Sequence, residues 1–219
     1  MRFTSLIVAT ASLLFGALPA SAQPWQPANG DTLAFDVLRD GGEFGTHIVK
    51  FTRDGDLLTV KTDVALKVAF GPLTFFDYVH DVTERYNAGK LVWVGSRTKN
   101  DGKWKTLSVQ PEEGGLAVKG PRFKGLLKGL VIPSTHWNRD EMKQPTMFST
   151  ETGEMLPIKV KDRGKESVKV AGQMIEAQRF DVDSEIDASF WYDAFGRWVK
   201  CAFEAQGSRI EYVLRALPG

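Results

Sequence analysis

Cysteine is nearly absent from this sequence: Cys201 is the one cysteine among 219 residues. A single cysteine cannot form an internal disulfide, so the core and the backbone hydrogen bonds must stabilise the fold. The residues around Cys201 alternate between apolar and polar, and Cys201 falls on the apolar side. This pattern predicts that its thiol is a buried, small apolar group.

An excess of one charge is also lacking. The chain carries 28 basic and 27 acidic residues, for a formal net charge of +1. Binding of nucleic acid depends on neutralising phosphates with surplus lysine and arginine. The charge balance therefore argues against nucleic acid as the main partner.

Motifs for cofactor, metal or nucleophile chemistry are missing as well. The sequence contains no phosphate loop, dinucleotide fingerprint, paired-cysteine metal motif or Gly-x-Ser-x-Gly elbow. Its three histidines, His47, His80 and His136, lie on separate segments without the spacing of zinc ligands. We therefore predict no metal, no cofactor and no catalytic residue.

Only one long apolar run occurs, near the start of the chain. Arg2 precedes the apolar residues 6–18, and Ala20-Ser21-Ala22 forms a small-residue cleavage site. This order is typical of an export signal, and the run is too short for a stable membrane anchor. We predict that residues 1–22 are cleaved and that the mature protein lies in the periplasm; the alternative is an uncleaved anchor.

The remaining chain alternates between apolar and polar residues in many short segments. Residues 23–30 are rich in proline and read as a tether, and residues 31–217 form a single β-rich domain. Turn sequences, including Arg163-Gly164, recur roughly every ten to fifteen residues, as in meandering all-β folds. We predict an all-β fold in which one antiparallel meander forms a strongly curved sheet. Both a half-barrel and a closed barrel fit the pattern.

The register of one hairpin follows from the side-chain period of two. A four-residue loop that starts at Asp193 would pair Tyr192 with Arg197 and Phe190 with Val199, which places apolar residues on one face. A three-residue loop would mix the two faces. The four-residue loop sets Trp191 opposite Trp198 on the outward face, where an aromatic pair predicts either cover by another segment or a surface for a protein partner.

The long strand at residues 73–87 carries polar residues on both faces. Tyr78, His80 and Glu84 share one face, and we interpret them as the wall of a ligand pocket with a few polar contacts. The alternative is a half-exposed strand with ordinary cross-strand pairs.

A polar and aromatic cluster lies in the middle of the chain. Residues 134–142 predict one short helix, with Ser134 as its N-cap after Pro133. His136, Trp137 and Asn138 in this segment are candidate ligand-binding residues. One interpretation is a helix that plugs the sheet through Trp137, and another is a hydrolase with His136 or His80 as its base.

The segment 122–132 mixes cations with apolar side chains. Arg122, Lys124 and Lys128 alternate with leucines and other apolar residues, a composition that could rest on an anionic lipid surface. Three glycines weaken any helix there. A mobile flap and an ordinary edge hairpin are the alternatives.

Several short segments together resemble a known family. They are Phe35-Asp36-Val37-x-Arg39-Asp40-Gly41, Gly45-Thr46-His47, Tyr78-x-His80, Ser134-x-x-Trp137-Asn138, Trp191-Tyr192-Asp193, Trp198-Val199-Lys200 and Ile210-Glu211-Tyr212. In this order the chain resembles an uncharacterised family of exported, β-rich bacterial proteins classed as a domain of unknown function. The resemblance implies a location in the Gram-negative envelope and assigns no catalytic residue.

These observations lead to one functional prediction with two alternatives. We predict an exported, non-enzymatic protein whose curved sheet encloses a lipid or another small apolar or amphipathic ligand. The alternatives are an envelope scaffold that uses Trp191 and Trp198, and a hydrolase.

Overall fold

The computed structural model describes residues 25–70, 73–100 and 102–217. The predicted export signal, residues 1–22, lies outside these ranges. No helix in the described part of the chain is long and apolar enough to cross a membrane.

Strands contain 68% of the residues and helix only 3%, which confirms the predicted all-β class. The strands are β1 (Thr32–Arg39), β2 (Gly42–Asp54), β3 (Leu57–Phe70), β4 (Leu73–Asn87), β5 (Lys90–Asn100), β6 (Lys103–Glu112), β7 (Gly115–Lys119), β8 (Lys124–Leu127), β9 (Thr146–Phe148), β10 (Met155–Pro157), β11 (Lys159–Val170), β12 (Gln173–Asp183), β13 (Ala188–Asp193), β14 (Trp198–Ala205) and β15 (Ser208–Leu214).

Thirteen of these strands form one antiparallel sheet, in the order β11-β12-β13-β14-β15-β1-β2-β3-β4-β5-β6-β7-β8. Each strand pairs with its neighbour in sequence, except that β15 pairs with β1. The sheet is curved and not closed, so the half-barrel of the two predicted alternatives is the one observed. Its two edge strands are β8 and β11.

One face of the sheet carries the core, and we call it the inner face. On β1 the alternate residues Leu33, Phe35 and Val37 are fully buried, whereas Asp36 between them is not. This is the pattern expected when successive side chains of a strand point to opposite faces and only one face is covered.

The segment between β8 and β11, residues 128–158, crosses the inner face, and we call it the strap. It joins the two edge strands and contains the small β9–β10 sheet and one 3₁₀ helix, Arg139–Lys143. Trp137 of the strap packs edge-on against Phe51 of β2 and Tyr86 of β4, with centroid distances of 5.4 and 5.6 Å. Trp137 is therefore buried against the sheet, as predicted, although it precedes the helix instead of lying in it.

The helix in the strap differs from the one predicted over 134–142. It begins after Asn138, whose side chain accepts a hydrogen bond from the backbone N–H of Asp140. Ser134 is not its N-cap, because the Ser134 N–H bonds the carbonyl of Phe148 in the next strand. His136 has a positive φ of 62°, and this left-handed conformation prevents a helix from passing through it.

Arg163-Gly164 is a bulge rather than the predicted turn. β11 runs through it, and its register against β12 shifts between Asp162 and Gly164. The Asp162 carboxylate accepts the N–H of Gly164, which has a φ of 82°. A glycine with positive φ occurs both in turns and in bulges, so the dipeptide alone does not distinguish the two.

The predicted register of the β13–β14 hairpin is wrong. Tyr192 pairs with Trp198 instead of Arg197, and Phe190 pairs with Cys201 instead of Val199. The backbone N–H of Asp193 bonds the carbonyl of Arg197 at 3.0 Å, so these two residues close the loop, and a bulge adds one residue to β14. Cys201 is buried on the inner face as predicted.

This register overturns the predicted outward pair of tryptophans. Trp198 is completely buried on the inner face, and Trp191 lies on the opposite face, where only 5% of it is exposed. Arg179 and Lys200 cover the Trp191 ring, at 5.3 and 5.0 Å from its centroid. The two indoles therefore do not form an exposed aromatic surface, and the scaffold hypothesis loses the feature on which it rested.

Residues 25–31, which include part of the predicted tether, form no strand. Trp25 nevertheless contacts the folded sheet. Its backbone N–H donates to the carbonyl of Phe195, and its ring lies edge-on to that of Phe51 at a centroid distance of 5.3 Å.

Candidate functional site

A cavity of about 390 Å³ lies between the inner face and the strap. Apolar side chains form much of its wall: Val64, Met147, Leu156, Val182, Ile186, Ala188, Phe190, Trp198, Cys201, Phe203 and Tyr212. Its polar wall includes His47, Tyr78, His80, His136 and Glu141. The cavity is thus amphipathic.

The sheet register sets the polar wall. His47 of β2 lies opposite Val64 of β3, which lies opposite His80 of β4. Residues directly opposite in antiparallel strands point to the same face, so the two imidazoles reach the cavity from one row.

His80 is fully bonded between the sheet and the strap. Its Nδ1 lies 2.7 Å from the hydroxyl of Thr98 on β5, and its Nε2 lies 3.0 Å from the hydroxyl of Thr150 in the strap. Burial lowers the pKa of His80 to about 4, so it is neutral at physiological pH. His80 therefore fastens the strap to the sheet, and both its nitrogens are occupied.

Glu84, two rows along the inner face from His80, is completely buried. Its carboxyl group accepts hydrogen bonds from the Thr135 hydroxyl at 2.5 Å, from the Trp137 indole N–H at 3.3 Å and from the Tyr86 hydroxyl. Burial raises its pKa to about 7 although these three donors act in the opposite direction, and the charge of Glu141 adds to the rise. Glu84 is a second anchor for the strap.

Glu141, on the 3₁₀ helix, is 1% exposed and only half bonded. Its Oε2 lies 3.1 Å from Nδ1 of His136, whereas Oε1 has no hydrogen-bond partner. The backbone carbonyl of His136 accepts a bond from the Tyr192 hydroxyl at 2.8 Å, which holds this part of the strap against β13. A buried carboxylate oxygen without a donor is costly, by about 1–3 kcal/mol or more, and calls for an explanation.

His47 presents a second unpartnered atom in the same cavity. It is 6% exposed, and its Nε2 has no hydrogen-bond partner. Burial, with smaller contributions from His136 and His80, lowers the pKa of His47 to about 3, so the ring is neutral. Its ring lies edge-on to Trp198 at 5.1 Å. In the described part of the chain the one other such orphan is Thr62 Oγ1, which does not line the cavity.

The structure brings some of the predicted ligand-binding residues together and separates others. Tyr78, His80 and His136 line the cavity, and the Tyr78 hydroxyl donates to Glu151 at 3.3 Å. Trp137 and Asn138 instead line another pocket of about 580 Å³, near Trp25. Glu84 lines neither of these pockets, because its carboxyl group is enclosed by its three donors. The roles of these residues in binding stay predictions.

Sequence reasoning missed the two unpartnered residues. His47 stands in an alternating strand between apolar residues, and a lone polar residue on a buried face was the one available signal. Glu141 gave no signal, because its burial depends on how the strap crosses the sheet.

The geometry adds nothing to the hydrolase alternative. Among the described residues no serine or threonine hydroxyl bonds to His136, and both nitrogens of His80 are held by threonines. The described ranges also contain no cluster of three or more histidine, cysteine, aspartate or glutamate residues that could hold a metal ion.

The segment 122–132, predicted to contact a membrane, contains the edge strand β8. Leu126 and Leu130 are 37% and 69% exposed, and the cations Arg122, Lys124 and Lys128 are exposed beside them. Membrane contact stays a prediction.

Comparison with solved structures shows the same fold in a bacterial protein. The chain is similar to a β-barrel-like protein of the domain of unknown function DUF1849 from Brucella abortus, with a TM-score of 0.59 and 12% sequence identity. The match covers 85% of this chain and 95% of the other. At this identity the likeness concerns the fold alone. No protein with a curated description matches the chain.

A family model covers most of the sequence, and it agrees with the resemblance found from the short segments. Residues 35–215 match the model of DUF6134, a domain of unknown function. The matched region runs from β1 to the end of β15 and includes the strap, the cavity and both buried glutamates. The chain therefore belongs to the DUF6134 family.

Proposed function

We propose that this protein binds a small amphipathic ligand in the cavity between the sheet and the strap, without catalysing a reaction. The observation that carries the proposal is that two side chains with buried, unpartnered polar atoms, His47 with Nε2 and Glu141 with Oε1, line one amphipathic cavity.

The size and lining of the cavity support binding of a small molecule. Ligand pockets in proteins have volumes of about 300–1,000 Å³ and combine apolar walls with a few polar groups that orient the ligand. This cavity, at about 390 Å³, falls at the small end of that range. Aromatic rings of Phe190, Trp198 and Tyr212 supply apolar surface, while the unpartnered atoms supply the polar groups.

We also propose that binding takes place in the periplasm. The support is the apolar run at residues 6–18, followed by the small-residue site Ala20-Ser21-Ala22. An extracytoplasmic carrier would meet ligands released from or delivered to the envelope.

Native mass spectrometry tests the proposal directly. The full chain is expressed with its own N-terminus in a Gram-negative host and recovered from the periplasm. We expect a polypeptide that begins at Gln23, together with a non-covalent adduct that disappears after solvent extraction. The neutral apolar dye Nile red should then bind the extracted protein at one site.

A cavity-filling variant supplies the matched control. Val64 lines the cavity between the two imidazoles, whereas Val213 of β15 is exposed on the outer face. We expect Val64→Phe to lose the adduct and most of the dye binding, and Val213→Phe to keep both. Near-UV circular dichroism confirms that each variant is folded. A wild-type protein with no adduct and no dye binding, or equal binding by the two variants, would refute a ligand site in this cavity.

A further inference from the structure

The two unpartnered atoms belong to side chains on opposite walls of one cavity. His47 lies on the sheet and Glu141 on the strap, and both residues line the cavity. The Trp198 ring lies 5.1 Å from the ring of His47 and 5.7 Å from that of His136, which is bonded to Glu141. The side chains that carry the two orphans are therefore grouped around one indole.

The two atoms have different hydrogen-bonding capacities. Glu141 Oε1 belongs to a carboxylate, which only accepts hydrogen bonds when it is ionised. The neutral imidazole of His47 can donate or accept at Nε2, depending on which nitrogen holds its proton. A ligand group that satisfies both atoms must donate at least one hydrogen bond.

The surroundings of Glu141 also disfavour a second negative charge. Arg122, the one lysine or arginine among the described residues that line the cavity, is exposed and is ion-paired with Glu154 and Glu185. Glu141 is 1% exposed, so little water screens its charge. In addition to the larger effect of burial, this charge contributes to raising the pKa of four buried groups: Glu84, Tyr86, Tyr192 and Cys201. An anion placed beside Oε1 would meet the same unscreened charge.

We propose that the cavity selects amphiphiles whose polar end donates hydrogen bonds, a hydroxyl or an ammonium group, and rejects those that end in a carboxylate or a phosphate. This inference rests on the proposed ligand-binding function and specifies its ligand class. A hydroxyl would donate to Glu141 Oε1 and accept from His47 Nε2. An ammonium group would donate to both atoms and would also compensate the carboxylate charge.

Displacement of bound Nile red tests the selection with matched probes. Octan-1-ol, octylammonium and octanoate share one alkyl chain and differ in the polar group. A hydrogen bond to a charged partner changes affinity by about tenfold or more. At pH 8 we therefore expect the alcohol and the amine to displace the dye at concentrations at least about tenfold below that of octanoate.

Two glutamine variants separate direct contact from a general effect of charge. Glu141→Gln replaces the buried acceptor by an amide that both donates and accepts, so the preference should fall to below about threefold. Glu185 also lines the cavity but is exposed. Glu185→Gln therefore removes an equal charge without changing Glu141 or His47. The preference of Glu185→Gln should match that of the wild type within about twofold, since exposed charges are screened by water and salt.

A second variant covers the case in which Glu141→Gln does not fold. His47→Leu removes the unpartnered Nε2 and leaves Glu141 in place. We expect it to weaken binding of octan-1-ol severalfold more than it weakens binding of Nile red, which needs no hydrogen bond from this nitrogen.

The possible results distinguish this inference from the function on which it rests. Failure of the wild type to bind Nile red or any of the three probes refutes the ligand site itself. Octanoate binding as tightly as octan-1-ol overturns the head-group selection and leaves the ligand site intact. An equal loss of preference in Glu185→Gln and Glu141→Gln also overturns it, because contact with Glu141 would then not be the cause.

Discussion

The strap carries or contacts two buried carboxyl groups, and their surroundings differ. Glu84 accepts three hydrogen bonds, whereas Glu141 accepts one and leaves its other oxygen without a partner. Burial alone therefore does not identify a functional group. A buried group whose bonds are complete stabilises the fold, and a buried group whose bonds are incomplete calls for another explanation, here the proposed ligand.

The largest effect that distinguishes the two carboxyl groups concerns stability. Glu84→Ala leaves three buried donors without an acceptor, and we expect the free energy of unfolding to fall by about 3 kcal/mol. Glu141→Ala removes one bond together with an orphaned oxygen, so its loss should be about 1 kcal/mol. Urea denaturation monitored by tryptophan fluorescence measures both. Equal losses would mean that the two groups do not differ in structural role.

The pH dependence of stability sharpens the comparison. The pKa of His47 is lowered to about 3 and that of His80 to about 4, from the ordinary histidine value of 6.5. As the pH falls below 6.5, these two histidines are therefore protonated in the unfolded chain but stay neutral in the folded protein. Both histidines therefore reduce stability as the pH falls. Glu84, with its pKa raised to about 7 from 4.5, acts in the opposite direction, since the folded protein keeps its proton over that interval.

Between about pH 4.5 and 6.5 these three groups together leave a net uptake of one proton on unfolding. This corresponds to a loss of about 1.4 kcal/mol per pH unit on acidification. Glu84→Gln removes the opposing contribution, so we expect the acid loss to become steeper by about the same amount. Denaturation at a series of pH values checks this, and an unchanged slope would show that Glu84 is ionised in the folded protein. Glu141→Gln provides the comparison variant.

The smallest expected effect concerns Asn138, a residue predicted to bind ligand. Its side chain caps the 3₁₀ helix and lines the pocket near Trp25 rather than the cavity. We expect Asn138→Ala to lower stability by about 1 kcal/mol, as the loss of a cap does, and to leave Nile red affinity unchanged. Weaker dye binding in a fully folded variant would extend the ligand site to this end of the strap.

Sequence reasoning succeeded where the determining information is local. The alternation in β4 correctly placed Tyr78, His80 and Glu84 on one face, because that placement depends only on the period of two. It failed for Trp198, because a single extra residue in a bulge transfers a side chain to the other face. No local pattern announces such a bulge in β14.

The candidate site was less predictable than the sheet. Glu141 and His47 are 94 positions apart in the numbering, and they line one cavity only because the strap crosses the inner face. The sequence pattern of the strap suggested a helix through His136, whereas contacts with β4 and β13 determine its path. Tertiary contacts of this kind cannot be derived from the periodicity of one segment.

The single pairing of β15 with β1 has a consequence for how the chain reaches its native state. It is the one contact in the large sheet between strands that are not successive, and the Arg215–Asp36 ion pair across it spans 179 positions. Because β1 and β15 are so far apart in sequence, their pairing raises the contact order of the fold, and a high contact order slows folding. A circular permutant opened within the strap, with its old termini linked, would turn the sheet into one uninterrupted meander from β11 to β8. Such a permutant should fold faster than the natural chain order does.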